Sequence, residues 1–263
     1  MVDGDLVATA ALSFGIAFVY SYVAFRLYAR TVSAPARLAS VQFSLFWYGL
    51  GASAAIGAVE AALAAGGLLS LPAAITASVV GIGVDCLFLW AIVNFLIYVY
   101  TGRYHLIPVA GLYALFYLAA LYYTVLQHPY AVAVHAGAPV LLDAPHEIPA
   151  LVTAVDIGLV FPEFICAFLY LSLLRHARGA SQQFRIAAVG FGIILWFGLT
   201  FFYPAPTAAL ALARGLLQLI PALLILVAYF PPAGLAARLG LTRTEPPQDG
   251  SAGDAPSGGR DER

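Results

Sequence analysis

The sequence contains no lysine, only two cysteines and few charged residues of either sign. Its twelve basic residues are all arginine, so the amine that a retinal Schiff base requires is missing. The two cysteines cannot build a disulfide scaffold, and no Cys/His spacing predicts a metal site. A formal net charge of −1 leaves no basic footprint for nucleic acid.

Apolar residues dominate the chain instead, at 62% of 263 positions against 10% charged residues. Soluble domains carry about 25% charged residues, so this composition predicts an all-α, multi-pass integral protein of the cell membrane, held in the lipid bilayer. No segment alternates with a period of two, which argues against a barrel. Seven apolar runs are long enough to cross a membrane, at about 6–28, 38–66, 71–100, 105–127, 149–174, 184–203 and 207–230.

The arginines predict the orientation of these seven spans. All except Arg214 lie beside or after the first, third, fifth and seventh spans. Because positive residues favour the cytoplasmic side, we expect the N-terminus outside and the C-terminus in the cytoplasm. Tyrosines such as Tyr20 and Tyr122 fall near span ends, where interfacial aromatic rings lie.

The composition changes near residue 244, which divides the chain into two regions. Residues 1–243 form the predicted seven-helix transmembrane domain. Residues 244–263 are polar and rich in proline, glycine, serine and acidic residues, so we expect a disordered cytoplasmic tail.

The first and fifth spans also resemble each other. At a fixed offset Tyr22 matches Tyr170, and Arg30 matches Arg178. Two parallel halves of three spans around the fourth would make a 3+1+3 repeat, an arrangement that some transporters use. Chance matches between alanine-rich segments explain the same pattern equally well, so both explanations stay open.

Costly polar side chains inside the predicted spans are the candidate functional residues. A charge at the bilayer centre costs at least about 2.5–3.5 kcal/mol on insertion scales, so each such residue needs a reason. The candidates are Glu60, Asp85, Asp156, Glu163, Arg214 and Gln218. All of them lie at the centre or in the outer half, whereas the inner half offers only Gln42 and Asn94.

These residues predict an outward-facing polar pocket built from spans two, three, five and seven. Asp156 and Glu163 are seven residues apart on one helix face, and Pro162 between them predicts a kink. Arg214 can pair with one or two of the four carboxylates, so the others must be protonated, solvated or bound to a cation. The pocket would therefore take a small ligand, a proton or a cation, without a cofactor.

Two other interpretations of the same residues stay open. Arg214 pairs with Glu60 or Asp156 and only fixes helix packing, or the carboxylates are catalytic. Catalysis is the weaker alternative, because the sequence has no HExxH, GxSxG or paired aspartate motif. We therefore predict no enzyme and no catalytic residue.

Two short segments of the sequence resemble segments of other membrane proteins. The segments Tyr98–Arg103 and Tyr229–Pro232, the latter running on to Arg238, look like uncharacterised prokaryotic seven-transmembrane-helix proteins. The second segment also resembles the exit from the last helix of seven-helix sensor regions. That resemblance implies a sensor- or receptor-like protein. The chain departs from the sensor pattern in ending with a polar tail instead of a kinase or cyclase, so we expect a signal to use a separate partner on the cytoplasmic side or the tail itself. The alternatives are a transporter of an ion or small polar solute, and a structural subunit of a membrane assembly.

Overall fold

The computed structural model describes most of the chain outside predicted span four and the tail. The described residues are 3–31, 37–103, 130–135, 138–143, 150–199 and 207–238, with single positions at 112, 115 and 119. Span four (105–127), apart from those single positions, and the predicted tail 244–263 lie outside them.

The described residues form helices and one small hairpin. The helices are α1 (Gly4–Thr31), α2 (Arg37–Ala65), α3 (Leu71–Thr101), α4 (Ala150–Ser172), α5 (Ala180–Phe197), α6 (Ala208–Leu217), α7 (Leu219–Tyr229) and α8 (Ala233–Arg238). A short 3-10 turn, Leu173–His176, follows α4. Strands β1 (Tyr130–His135) and β2 (Ala138–Asp143) pair antiparallel in the predicted connection between spans four and five.

Four described segments are long and apolar enough to cross a membrane: Gly4–Arg30, Arg37–Ala65, Leu71–Thr101 and Ala208–Tyr229. The shortest has 22 residues, or about 33 Å of helix at 1.5 Å per residue. The helical, membrane-type character of the chain is therefore confirmed. The number of seven spans, their orientation and the repeat stay predictions.

The ends of α3 follow directly from local sequence. The Ser70 hydroxyl accepts the N–H of Ala73 at 3.4 Å, and Pro72 occupies the first turn, where it leaves no N–H unpaired. At the other end Gly102 has a φ of 64°, and its N–H donates to the carbonyl of Tyr98 at 2.8 Å. Glycine adopts this left-handed conformation without steric cost, so it ends the helix.

The last predicted span is divided, which the sequence analysis did not anticipate. Gln218 separates α6 from α7, and Pro221 lacks the N–H that would bond to the carbonyl of Leu217. The hydroxyl of Tyr20 in α1 donates to the carbonyl oxygen of Gln218 at 2.8 Å. By contrast, α4 runs through Pro162 without a break in its helical assignment.

Aromatic side chains fill the core between α1, α2 and α5. Tyr20, Phe46 and Trp47 are fully buried, and Tyr20 meets the edge of Trp196 with ring centroids 4.8 Å apart. The ring of Tyr20 is therefore enclosed by neighbouring helices, and its hydroxyl is satisfied by a backbone carbonyl. Its position relative to the membrane interface stays a prediction.

One end of the bundle collects arginines. Arg26 and Arg30 at the end of α1 contact the ring of Phe230 just after α7, and Arg185 near the start of α5 contacts Tyr229. We call this the arginine end. The start of α2 and the end of α3 lie there too, because successive helices run in opposite directions.

A substitution at Gly49 tests how closely α2 and α3 pack. A Cβ atom at Gly49 would lie 2.5 Å from the Cβ of Phe88, so one helix would have to move. We expect Gly49→Ala to lower the free energy of unfolding by about 1–3 kcal/mol, measured by thermal denaturation in detergent. Gly57→Ala in the same helix is the control, because nothing lies within 4 Å of its added Cβ. Equal stability of the two variants would contradict this packing.

Candidate carboxyl site

Two of the predicted site residues, Asp85 in α3 and Glu163 in α4, lie within electrostatic range of each other. Asp85 lies near the middle of α3 and is half-buried, whereas Glu163 is only 2% exposed. The two carboxyl groups are close enough to interact electrostatically. Like charges at this depth oppose each other, so the pair favours the uptake of a proton or another positive charge.

Their hydrogen bonding is unequal. The hydroxyl of Ser53 in α2 donates to Oδ1 of Asp85 at 3.2 Å. The Oε2 atom of Glu163 has no hydrogen-bond partner among the described residues. A buried carboxyl oxygen without a hydrogen-bond partner destabilises the folded protein unless a proton, an ion or a water binds to it.

No described arginine neutralises these acids. Among the described residues, Asp85 is the charged neighbour of Glu163, and the Ser53 hydroxyl is the hydrogen-bond donor to Asp85. Glu60 likewise has no cationic neighbour among the described residues. The alternative pairing of Arg214 with Asp156 stays a prediction, because the side chain of Asp156 lies outside them. Within the described residues, the acid pair therefore has no built-in counter-charge.

Packed aromatic rings lie between the pair and the arginine end. Phe88 follows Asp85 by three residues, nearly one helical turn, and is 4% exposed. Its ring centroid lies 5.8 Å from that of Phe46 and 6.2 Å from that of Phe197. Rings at these distances leave little room for a polar path.

The remaining predicted site residues do not join this pair. Glu60 lies seven residues beyond Ser53, about 10 Å along α2. It lines a groove of about 550 Å³ between α2 and α3 whose other lining residues are almost all apolar. The side chain of Asp156 lies outside the described residues, although its backbone belongs to α4.

Arg214 and Gln218 belong to a different contact. Their neighbour Gly215 is buried against Leu12 and Ile16 of α1. Gln218 offers its backbone carbonyl to Tyr20. Among the described side chains, α6 therefore packs toward α1, whereas Asp85 and Glu163 lie on α3 and α4. The convergence of all six residues on one pocket stays a prediction.

Sequence reasoning missed two residues that the structure brings into play. Ser53 sits in an alanine- and glycine-rich stretch and resembles a small packing residue. Its spacing of seven from Glu60, which places both on one face of α2, was the available signal. Tyr20 gave no signal, because nothing local shows that the last span breaks opposite it.

Comparisons with known proteins add no assignment. No protein-family model, curated protein or solved structure matches this chain.

Replacing Glu163 tests whether its carboxyl group carries an energetic cost. We expect Glu163→Met to raise the free energy of unfolding by about 1–3 kcal/mol, because a buried oxygen without a partner is replaced by an apolar group of similar size. Denaturation of the purified protein measures the change. A clear loss of stability would instead mean that the carboxyl group helps hold the fold together.

Proposed function

We propose that this chain is a sensor- or receptor-like multi-pass membrane protein whose Asp85–Glu163 pair binds a proton or small cation. The supporting observation is a buried carboxyl pair with no described counter-charge and one unpartnered oxygen. Protonation or cation binding would relieve the repulsion between α3 and α4. That relief supplies the difference in free energy that a switch requires.

Access from one side favours sensing over transport. A transporter must expose its site alternately to both faces of the membrane, and it needs a polar path on each side. The aromatic packing of Phe88 with Phe46 and Phe197 lies toward the arginine end. The proton or cation would therefore enter from the opposite end.

The proposed function requires a particular orientation of the helices in the membrane. Seven spans with the arginine end in the cytoplasm follow the positive-inside rule, with the N-terminus and the entrance to the carboxyl pair outside. A separate cytoplasmic partner would then read a change transmitted along α3 and α4 to that end. Glu60, Asp156, Arg214 and Gln218 have no assigned part in this site.

Infrared difference spectroscopy on the reconstituted protein tests the carboxyl pair. We expect a change of pH or the addition of a cation to alter the carboxyl stretching bands of the wild-type protein. Asp85→Asn and Glu163→Gln should each remove about half of this signal or more, because the two groups titrate as one pair. Glu60→Gln is the control and should preserve the signal.

The same variants separate the alternatives. Proton or cation uptake into proteoliposomes that is lost in Asp85→Asn would support the transporter. A normal infrared response without uptake supports the sensor. An unchanged infrared response in both variants, with altered stability alone, would leave the structural-subunit alternative.

Cysteine labelling tests the orientation. In a Cys86→Ala, Cys166→Ala background, we place a cysteine at Gly4 or at Ala237, both of which are exposed. A membrane-impermeant maleimide should label the Gly4→Cys protein in intact cells, and the Ala237→Cys protein only after permeabilisation. Equal labelling of both variants in intact cells would contradict the placement of the two ends on opposite sides of the membrane.

A further inference from the structure

A second polar cavity lies at the arginine end, away from the carboxyl pair. It has a volume of about 160 Å³, well above the roughly 10–15 Å³ that one water needs. Its polar lining comes from four helices: Arg30 of α1, Ser40 and Ser44 of α2, Arg185 of α5 and Tyr229 of α7.

Both arginines of the cavity are held in place by the end of α7. Arg30 donates to the carbonyl of Tyr229 at 2.7 Å, and the Nε of Arg185 donates to the carbonyl of Ala228 at 3.2 Å. These bonds satisfy carbonyls that the helix leaves open at its C-terminus. A guanidinium has five N–H donors, so the single bond of Arg185 leaves most of its donors for another acceptor.

Positive charge accumulates at this end of α7. Arg30 interacts electrostatically with both Arg185 and Arg26, so three like charges lie near one another. The C-terminus of α7 contributes only about half a negative charge. Glu163, the described carboxylate of α4, lies nine residues before the end of that helix, about 14 Å away along its axis.

We propose that this cavity binds a phosphoryl group. The Ser44 hydroxyl donates to the carbonyl of Ser40 at 2.9 Å. Two guanidinium groups with the Ser40 hydroxyl beside them match the tetrahedral oxygens of a phosphate, which arginine binds through paired N–H groups. The headgroup of an anionic lipid and a free phosphate compound share this chemistry. Arg30 is the last residue of the first membrane-spanning segment, so the cavity lies at the depth where lipid headgroups are found.

Binding to the full-length protein in a non-ionic detergent tests this site. Native mass spectrometry counts bound phosphatidylglycerol against phosphatidylcholine, and thermal denaturation with inorganic phosphate tests a free phosphate compound. Arg185→Gln should weaken binding about tenfold or more, because a charge-assisted contact is lost. Arg178→Gln is the control, since it removes an exposed arginine between α4 and α5 that does not line the cavity.

A second variant keeps the test decisive if Arg185→Gln does not fold. Ser40→Leu fills the cavity while both arginines keep their bonds to α7, and it should also abolish binding. Selective phosphatidylglycerol binding identifies a lipid headgroup, and stabilisation by inorganic phosphate identifies a free phosphate compound. Binding that persists in Ser40→Leu, or equal binding of both lipids with no effect of phosphate, overturns the proposal.

Discussion

The hydrogen bond from Tyr20 to the carbonyl of Gln218 joins the first helix to the interruption of the last. A backbone carbonyl cannot be left without a donor at membrane depth, where no bulk water is available. The Tyr20 hydroxyl supplies that donor at 2.8 Å, while its ring packs between Trp47 and Trp196. The break beside Pro221 and the aromatic core of the bundle therefore depend on the same side chain.

Charge is distributed unevenly along this bundle. The acid pair of Asp85 and Glu163 lies in the middle, and the arginines gather at one end, where Arg30 and Arg185 close the last long helix. Aromatic rings around Phe88 separate the two regions. The acid pair has no counter-charge among the described residues, and the arginines crowd one another, so an external ligand is proposed for each region.

Much of the fold was predictable because it depends on local signals. Apolar length located the helices, and the third predicted span, 71–100, agrees with α3 within one residue. The site was predictable only in part. Asp85 and Glu163 were recognised because placing a charged side chain in an apolar span costs free energy. Ser53 was not recognised, because a serine among small residues carries only a small cost of this kind. Proline alone did not predict the break: α4 continues through Pro162, whereas α6 ends just before Gln218, where the hydroxyl of Tyr20 donates to the exposed carbonyl.

The sequence by itself determined that apolar helices form, where most of them begin and end, and which charged residues lie inside them. Those properties follow from composition and from neighbours a few positions away. Only the tertiary structure decided that Asp85 meets Glu163, that Glu60 lines a separate groove, and that Arg30 and Arg185 share a cavity. Which helix faces meet is set by side-chain shape between residues that are far apart in the chain, and hydropathy is nearly uniform around such helices, so the pattern does not encode those pairings.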